Sequence, residues 1–148
     1  MRLYLDACCL NRPFDDQNQL RVRLETEAIR TILRLCQEDV HDWLSSDVLQ
    51  AELEQTPNLD RQQLTLDLLA LASEQVAVTK ADYARAAEFS KNGVSGFDAV
   101  HLAIAERTRC DLFLTTDDRL SRRSERPLTP SLNVRVTNPL VWIQEQHT

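Results

Sequence analysis

The stretch Gly96-Phe97-Asp98-Ala99-Val100-His101-Leu102-Ala103-Ile104-Ala105 decides the fold class. From Ala99 to Ala105 only His101 interrupts the apolar residues, so a helix here has almost no polar face. Such a helix is buried rather than laid on a surface. Asp98 stands where the helix begins, just after Gly96. A carboxylate there is favoured by the positive end of the helix dipole, and it opens onto whatever the helix packs against. Two readings of Asp98 stay open: a helix cap, or one member of an acidic site completed by other elements.

Downstream, Asp111-Leu112-Phe113-Leu114-Thr115 reads as a strand with a wholly apolar centre, as in a parallel sheet buried on both faces. It runs into Thr116-Asp117-Asp118, placing carboxylates just past the strand's C-terminal end. A helix cap at Asp117 followed by a solvated Asp118 is the plain alternative. Arg119, Arg122, Arg123 and Arg126 form a local basic run in an acidic protein. They are either a solvated face or, beside a phosphodiester, a set of phosphate partners. Pro127 and Pro130 break the chain, Val134-Arg135-Val136 reads as a last strand, and residues 139–146 as a last helix carrying Val141, Trp142 and Ile143.

Upstream, Leu3-Tyr4-Leu5 reads as a buried strand that ends at Asp6. Open parallel α/β sheets bind ligands at that carboxyl edge. Residues 7–19, with Asn11, Pro13, Asp15, Asp16 and Asn18, read as a loop or broken turn. Over 20–38, Leu20, Leu24, Ala28, Ile32 and Leu35 recur at helical spacing. His41-Asp42-Trp43-Leu44-Ser45 reads as a second strand, and Ser45 or Ser46 caps a helix over 47–54, ended by Pro57. Val48 and Leu49 precede Glu52 by four and three residues, which places Glu52 on the apolar face. A carboxylate there is costly unless paired, hydrogen-bonded or bound to metal; a place at the margin of the face, reaching water, is the alternative. Residues 60–73 repeat the helical pattern through Leu64, Leu68, Leu69 and Leu71. Val76-Ala77-Val78-Thr79 reads as a short strand, and 82–92 as a helix with Tyr83, Ala86, Ala87 and Phe89 inward, closed by Gly93.

Strands and helices therefore alternate without a repeat or a low-complexity linker, which points to a three-layer α/β domain with a mostly parallel sheet. A chain of 148 residues suffices for one such domain with a real core. No apolar run approaches the roughly 20 residues that span a bilayer. Arg2 and Asp6 bracket too short an apolar run for a secretory signal, so the expected compartment is the cytoplasm. Cys8, Cys9, Cys36 and Cys110 lack paired zinc-site spacing and read as reduced thiols. The net charge of −6 argues against holding nucleic acid by charge alone. It leaves room for a basic rim around an acidic site. An aromatic content of 5% argues against a stacking platform for single strands. Gly93 and Gly96, the only glycines, cannot build a P-loop or a dinucleotide fingerprint.

Asp6, Asp98 and Asp117 share one type of place, a junction on the C-terminal side of the sheet, and Glu52 can reach the same cleft from its helix. Like charges gathered in one pocket raise each other's pKa and destabilise the fold. The usual remedy is a hard divalent cation, Mg²⁺ or Mn²⁺. Such a cation makes water a better nucleophile at neutral pH. Beside arginines, that arrangement suits the hydrolysis of a phosphodiester.

These residues resemble the PIN-domain ribonucleases, in particular the bacterial toxin nucleases of VapC type. Leu3-Tyr4-Leu5-Asp6 is similar to the family's first-strand aspartate, and Ser46-Asp47-Val48-Leu49-Gln50-Ala51-Glu52 to its helix-borne glutamate. Asp98-Ala99-Val100-His101-Leu102-Ala103 is similar to its third acidic motif and Leu114-Thr115-Thr116-Asp117 to its fourth. The resemblance implies about five parallel strands and a Mg²⁺- or Mn²⁺-dependent endoribonuclease, often a homodimer, with an antitoxin protein that blocks the cleft. It implies Asp6, Glu52, Asp98 and Asp117 as catalytic, the three aspartates holding metal, and Asp118, Thr115 and Thr116 as auxiliary. Arg119, Arg122 and Arg123 would then meet RNA, and Arg12, Asp15 and Asp16 could touch RNA or a partner. Many members follow the first aspartate with Thr and then Asn or Ser, whereas Ala7 and Cys8 stand here. A thiol is a poor Mg²⁺ ligand, so Thr115, Thr116 or Asn11 would have to serve instead. A catalytically impaired PIN-fold module that docks a partner protein is the alternative. A phospho-receiver would need a lysine after the last acidic strand, where Thr115, Thr116 and then arginines stand. His101 reads as a packed, hydrogen-bonded histidine, or else as a group that orients a carboxylate or a phosphate.

Overall fold

The computed structural model describes residues 1–125 and 131–146; Arg126, Pro127 and Pro130, read above as the end of the basic run and a chain break, lie outside them. The order is β1 (Arg2–Leu5), α1 (Ala7–Asn11), a 3-10 turn (Arg12–Phe14), α2 (Leu20–Gln37), β2 (Asp42–Ser46), α3 (Asp47–Leu53) and α4 (Leu59–Leu69). It continues with β3 (Glu74–Val76), α5 (Lys80–Lys91), α6 (Gly96–Arg107), β4 (Leu112–Leu114), α7 (Asp118–Glu125), β5 (Arg135–Thr137) and α8 (Pro139–Gln146). The five strands form one sheet in the order β3-β2-β1-β4-β5, and every neighbouring pair is parallel.

This order creates a switch point. From β1 the chain builds outward through β2 to β3, then returns to the other side of β1 as β4 and continues to β5. Tyr4 lies opposite Phe113 and Leu5 opposite Leu114, so the carboxyl ends of β1 and β4 stop side by side. Leu3, Tyr4, Leu5, Phe113 and Leu114 are wholly buried, as apolar central strands of a two-faced sheet must be. The backbone N–H of Asp6 still donates to Leu114 O at 3.2 Å, tying the first loop to the end of β4. The crevice beyond such a reversal is where open parallel sheets place their ligands.

Helix α6 is sunk as its sequence requires: Ala99 and every residue from His101 to Ala105 are buried. Helix α5 ahead of it begins with a capping box between Thr79 and Asp82. It ends in a Schellman closure, Val94 N–H to Phe89 O at 3.1 Å and Gly93 N–H to Ser90 O at 3.2 Å. Gly93 takes φ of +92°, a conformation only glycine adopts without strain.

Several expectations need correction. Residues 7–19 are not simply a loop: Asp6 caps the short α1, and a 3-10 turn follows it. Helix α2 buries Ala28 and Ile32 as the spacing predicts, but together with Val22, Glu25, Thr26, Ile29, Leu33 and Cys36, while Leu20 and Leu24 are exposed. Glu25 can occupy the core because Arg12 Nε lies 3.1 Å and Arg21 Nε 3.3 Å from its carboxylate. Leu64 and Leu71 are exposed, and Thr65 and Leu69 are the buried positions of α4. Strand β3 comes earlier than the apolar run 76–79, because Thr79 is spent on capping α5. Tyr83 and Ala87 face outward, and Asp82 is buried instead, 2.8 Å from Arg107 Nε. Among the described residues no helix is long and apolar enough to cross a membrane.

Candidate active site at the carboxyl ends of β1 and β4

Asp6 leaves β1 extended and turns the chain into α1, its Oδ1 accepting from Cys9 N–H at 3.2 Å. The Cys8 thiol donates to the same oxygen at 2.8 Å. Burial holds the Asp6 carboxyl well above the usual range, the adjacent Cys8 adds to this, and a hydrogen bond from Thr115 works the other way. Across the switch point Asp117 caps α7, its Oδ1 accepting from Arg119 N–H at 2.9 Å and Leu120 N–H at 3.4 Å. The helix-cap reading of Asp117 is therefore correct as far as one oxygen is concerned.

Asp98 is different. It is the third residue of α6, behind an N-cap at Ser95 whose side chain makes no capping bond. Among the described residues nothing donates a hydrogen bond to Asp98. Its carboxyl is pushed up to about 6, by burial first and then by Asp6, with Asp117 and Glu52 adding smaller contributions and His101 opposing. Asp6, Asp117 and Glu52 therefore all lie within electrostatic reach of Asp98, although neither Asp6 nor Glu52 lines the cleft beside it. Asp98 and Asp117 share the lining of a cleft of about 300 Å³ with Gly93, Ser95, Arg119 and Arg123. Arg122 is exposed and is not part of that lining. A cavity of similar size between α4 and β3, lined by Leu66, Leu69 and Gln75, holds none of the four acids.

The auxiliary positions divide. Thr115 Oγ1 lies 3.3 Å from Cys8 Sγ and accepts from Asp117 N–H at 3.1 Å, so it joins the two acidic loops. Thr116 Oγ1 is buried without a hydrogen-bond partner. Asp118 is held by Arg21 through two bonds of 2.7 and 2.8 Å, which lower its pKa and tie it to α2. Asp15 of the first loop pairs with Arg12 and Arg61.

Glu52 sits half-buried on α3, its Oε1 2.7 Å from His101 Nε2. His101 is fully buried between the rings of Phe97 and Tyr4, as the packed, hydrogen-bonded reading requires. Its partners Tyr4 and Glu52, the Ser46 hydroxyl beyond Tyr4, the role of Arg21 and the Cys8–Asp6 bond do not follow from the sequence reading. The apolar run of β1 predicts a buried Tyr4 without saying what its hydroxyl meets.

Three carboxylates and nearby hydroxyls are hard oxygen donors, suited to Mg²⁺ or Mn²⁺. Cys8 is the one soft donor among them. Among the described residues no three His, Cys, Asp or Glu side chains already stand in positions that would hold a metal ion.

The PIN domain family model matches residues 3–126. No curated protein is similar enough to count as a match. Among solved structures, the fold is similar to the crystal structure of VapBC2 from Rickettsia felis bound to a DNA fragment from their promoter. The TM-score is 0.59 at 13% identity, covering 93% of this chain and 98% of that chain, and at that identity the likeness concerns the fold.

Proposed function

Since this chain belongs to the PIN domain family, we propose that it is a metal-dependent endoribonuclease working from the cleft at Asp98 and Asp117, and that it is the toxin of a toxin–antitoxin pair. Asp98 carries this reading. Its carboxyl is pushed to about 6 by burial and by Asp6, Asp117 and Glu52, with His101 opposing, and among the described residues no hydrogen bond reaches its oxygens. A hard divalent cation is the group that would offset that repulsion.

In this reading Asp6, Asp98 and Asp117 hold Mg²⁺ or Mn²⁺. When bound, the cation supplies Lewis-acid polarisation of the phosphodiester and a lowered pKa for water. Glu52 accepts the proton of the attacking water. Arg119 and Arg123, one helical turn apart on α7 and both on the cleft, bind the flanking phosphates through their forked donors. Residues 1–148 act as one PIN-like domain, a homodimer whose cleft a cognate antitoxin covers. The likeness to the DNA-bound VapBC2 structure supports that partner class.

Asp6→Asn and Asp98→Asn should abolish RNA cleavage and weaken Mn²⁺ binding by calorimetry, with circular dichroism unchanged. Full cleavage by either variant would remove the mechanism. Two observations favour a second reading, a catalytically impaired module that docks a partner. Cys8 bonds to Asp6, and among the described residues no three such side chains stand ready for a metal. A wild-type chain that binds no Mn²⁺ would decide for that module.

A further inference from the structure

Three side chains that the acidic site does not explain, Ser46, Tyr4 and His101, form one line through the core that ends on Glu52. Leu49 N–H donates to Ser46 Oγ at 3.0 Å. Ser46 Oγ lies 2.7 Å from Tyr4 OH, Tyr4 OH lies 2.7 Å from His101 Nδ1, and His101 Nε2 lies 2.7 Å from Glu52 Oε1. Ser46, Tyr4 and His101 are completely buried, so their polar atoms rely on one another.

The direction of the line follows from its two ends. An ionised carboxylate only accepts, so Nε2 carries the hydrogen. A neutral imidazole then presents Nδ1 as an acceptor, and the Tyr4 hydroxyl must donate to it. With its one hydrogen spent on Nδ1, the Tyr4 oxygen in turn accepts from the Ser46 hydroxyl, whose own oxygen accepts from Leu49 N–H. Every donor meets one acceptor. The reverse order would set a bare Nε2 against a carboxylate or require a buried imidazolium.

We propose that His101 is a positioning residue for Glu52: Ser46 and Tyr4 fix its Nε2–H tautomer, and that N–H holds the Glu52 carboxylate of α3 in one orientation. The line spans β1, the β2–α3 cap and α6, so Glu52 is registered to the same strand that delivers Asp6. The consequence for catalysis rests on the reading of Glu52 as the base; the tautomer does not.

Two measurements on the whole chain test it. ¹⁵N NMR of the imidazole, without RNA or cation, should show Nε2 protonated and Nδ1 bare in the wild type. Tyr4→Phe keeps the ring and should disturb the Nδ1 resonance and release the single tautomer. A protonated Nδ1, alone or in an imidazolium, overturns the proposal. With RNA and Mn²⁺, His101→Leu should lower kcat roughly 10–100-fold at unchanged KM, the range seen when a group behind a reacting side chain is lost. His101→Gln, whose amide offers a donor near the place of Nε2, should recover at least tenfold over His101→Leu. Equal kcat for the Leu and Gln variants, both folded, overturns the positioning role. If the wild type itself cleaves no RNA, the nuclease reading falls, and the tautomer in wild type and Tyr4→Phe decides the proposal alone.

Discussion

Replacing Asp98 by Asn should stabilise the cation-free protein at pH 8 and leave its stability near pH 3 unchanged. The Asp98 carboxyl titrates near 6 in the fold instead of at its ordinary 3.8. Well below pH 3.8 the group is protonated whether the chain is folded or not, and folding has the whole benefit of the difference. As pH rises from 3.8 through 6, the unfolded chain gives up its proton while the fold retains it, so stability falls with pH. At pH 8 the ionised group would cost about 3 kcal/mol by this difference, and partial contact with solvent reduces that to about 1.5. Asn removes that cost and also the roughly 0.5 kcal/mol that a carboxylate gains in the first turn of a helix. The expected net gain is about 1 kcal/mol, a rise in Tm of roughly 2–4 °C for a chain of this size. Thermal melts at both pH values in EDTA measure it. Melts at pH 8 with Mn²⁺ should reverse the order, because only the wild type keeps its full ligand set. If Asp98→Asn lowers Tm at pH 8, or shifts it equally at both pH values, the repulsion argument is wrong.

Arg119→Ala and Arg123→Ala should each raise KM for RNA and reduce the salt dependence of binding by about one phosphate contact. Arg122→Ala, whose side chain is outside the cleft lining, should do less. Ser46→Ala removes the α3 cap and should cost about 1 kcal/mol in urea unfolding or more, since Tyr4 also loses its donor; a cost near zero would deny the cap. Gly93→Ala places a methyl 2.9 Å from the Arg123 guanidinium at φ of +92°. It should lower the urea midpoint by the equivalent of about 1 kcal/mol or more, and an unchanged midpoint would contradict the closure described for α5.

The sheet was legible where single residues leave no choice. Leu3 to Leu5 and Leu112 to Leu114 have no polar alternative, and α6 has no polar face, so burial on both sides follows from composition. Helix α2 was misread because its stripe was counted on leucines, whereas Glu25 and Thr26 hold buried positions. Glu25 is tolerable there only through Arg12, Arg21 and Asn138, the last of them 113 residues away. Helix α1 is too short to show a period, and its cap is the residue already read as a site acid. At the site, the places of Asp6 and Asp117 are legible from strand ends, that of Asp98 from the start of α6 and that of Glu52 from helical spacing on α3. The isolation of Asp98, the thiol on Asp6 and the Tyr4–His101 bond were not, because each depends on which side chains meet in space.

The switch point also orders events during synthesis. Strand β1 is made before the other four strands of the sheet, yet one of its long edges stays bare until β4 emerges more than a hundred residues later. A nascent domain therefore carries an apolar strand edge until β4 is made, the kind of surface on which stray strands add. Closure of that edge is also the step that sets Asp6 beside the β4 end, since Asp6 N–H bonds to Leu114 O. Any fragment ending before Asp117 lacks one of the four acids, so the four meet only in a chain whose β1 edge is sealed.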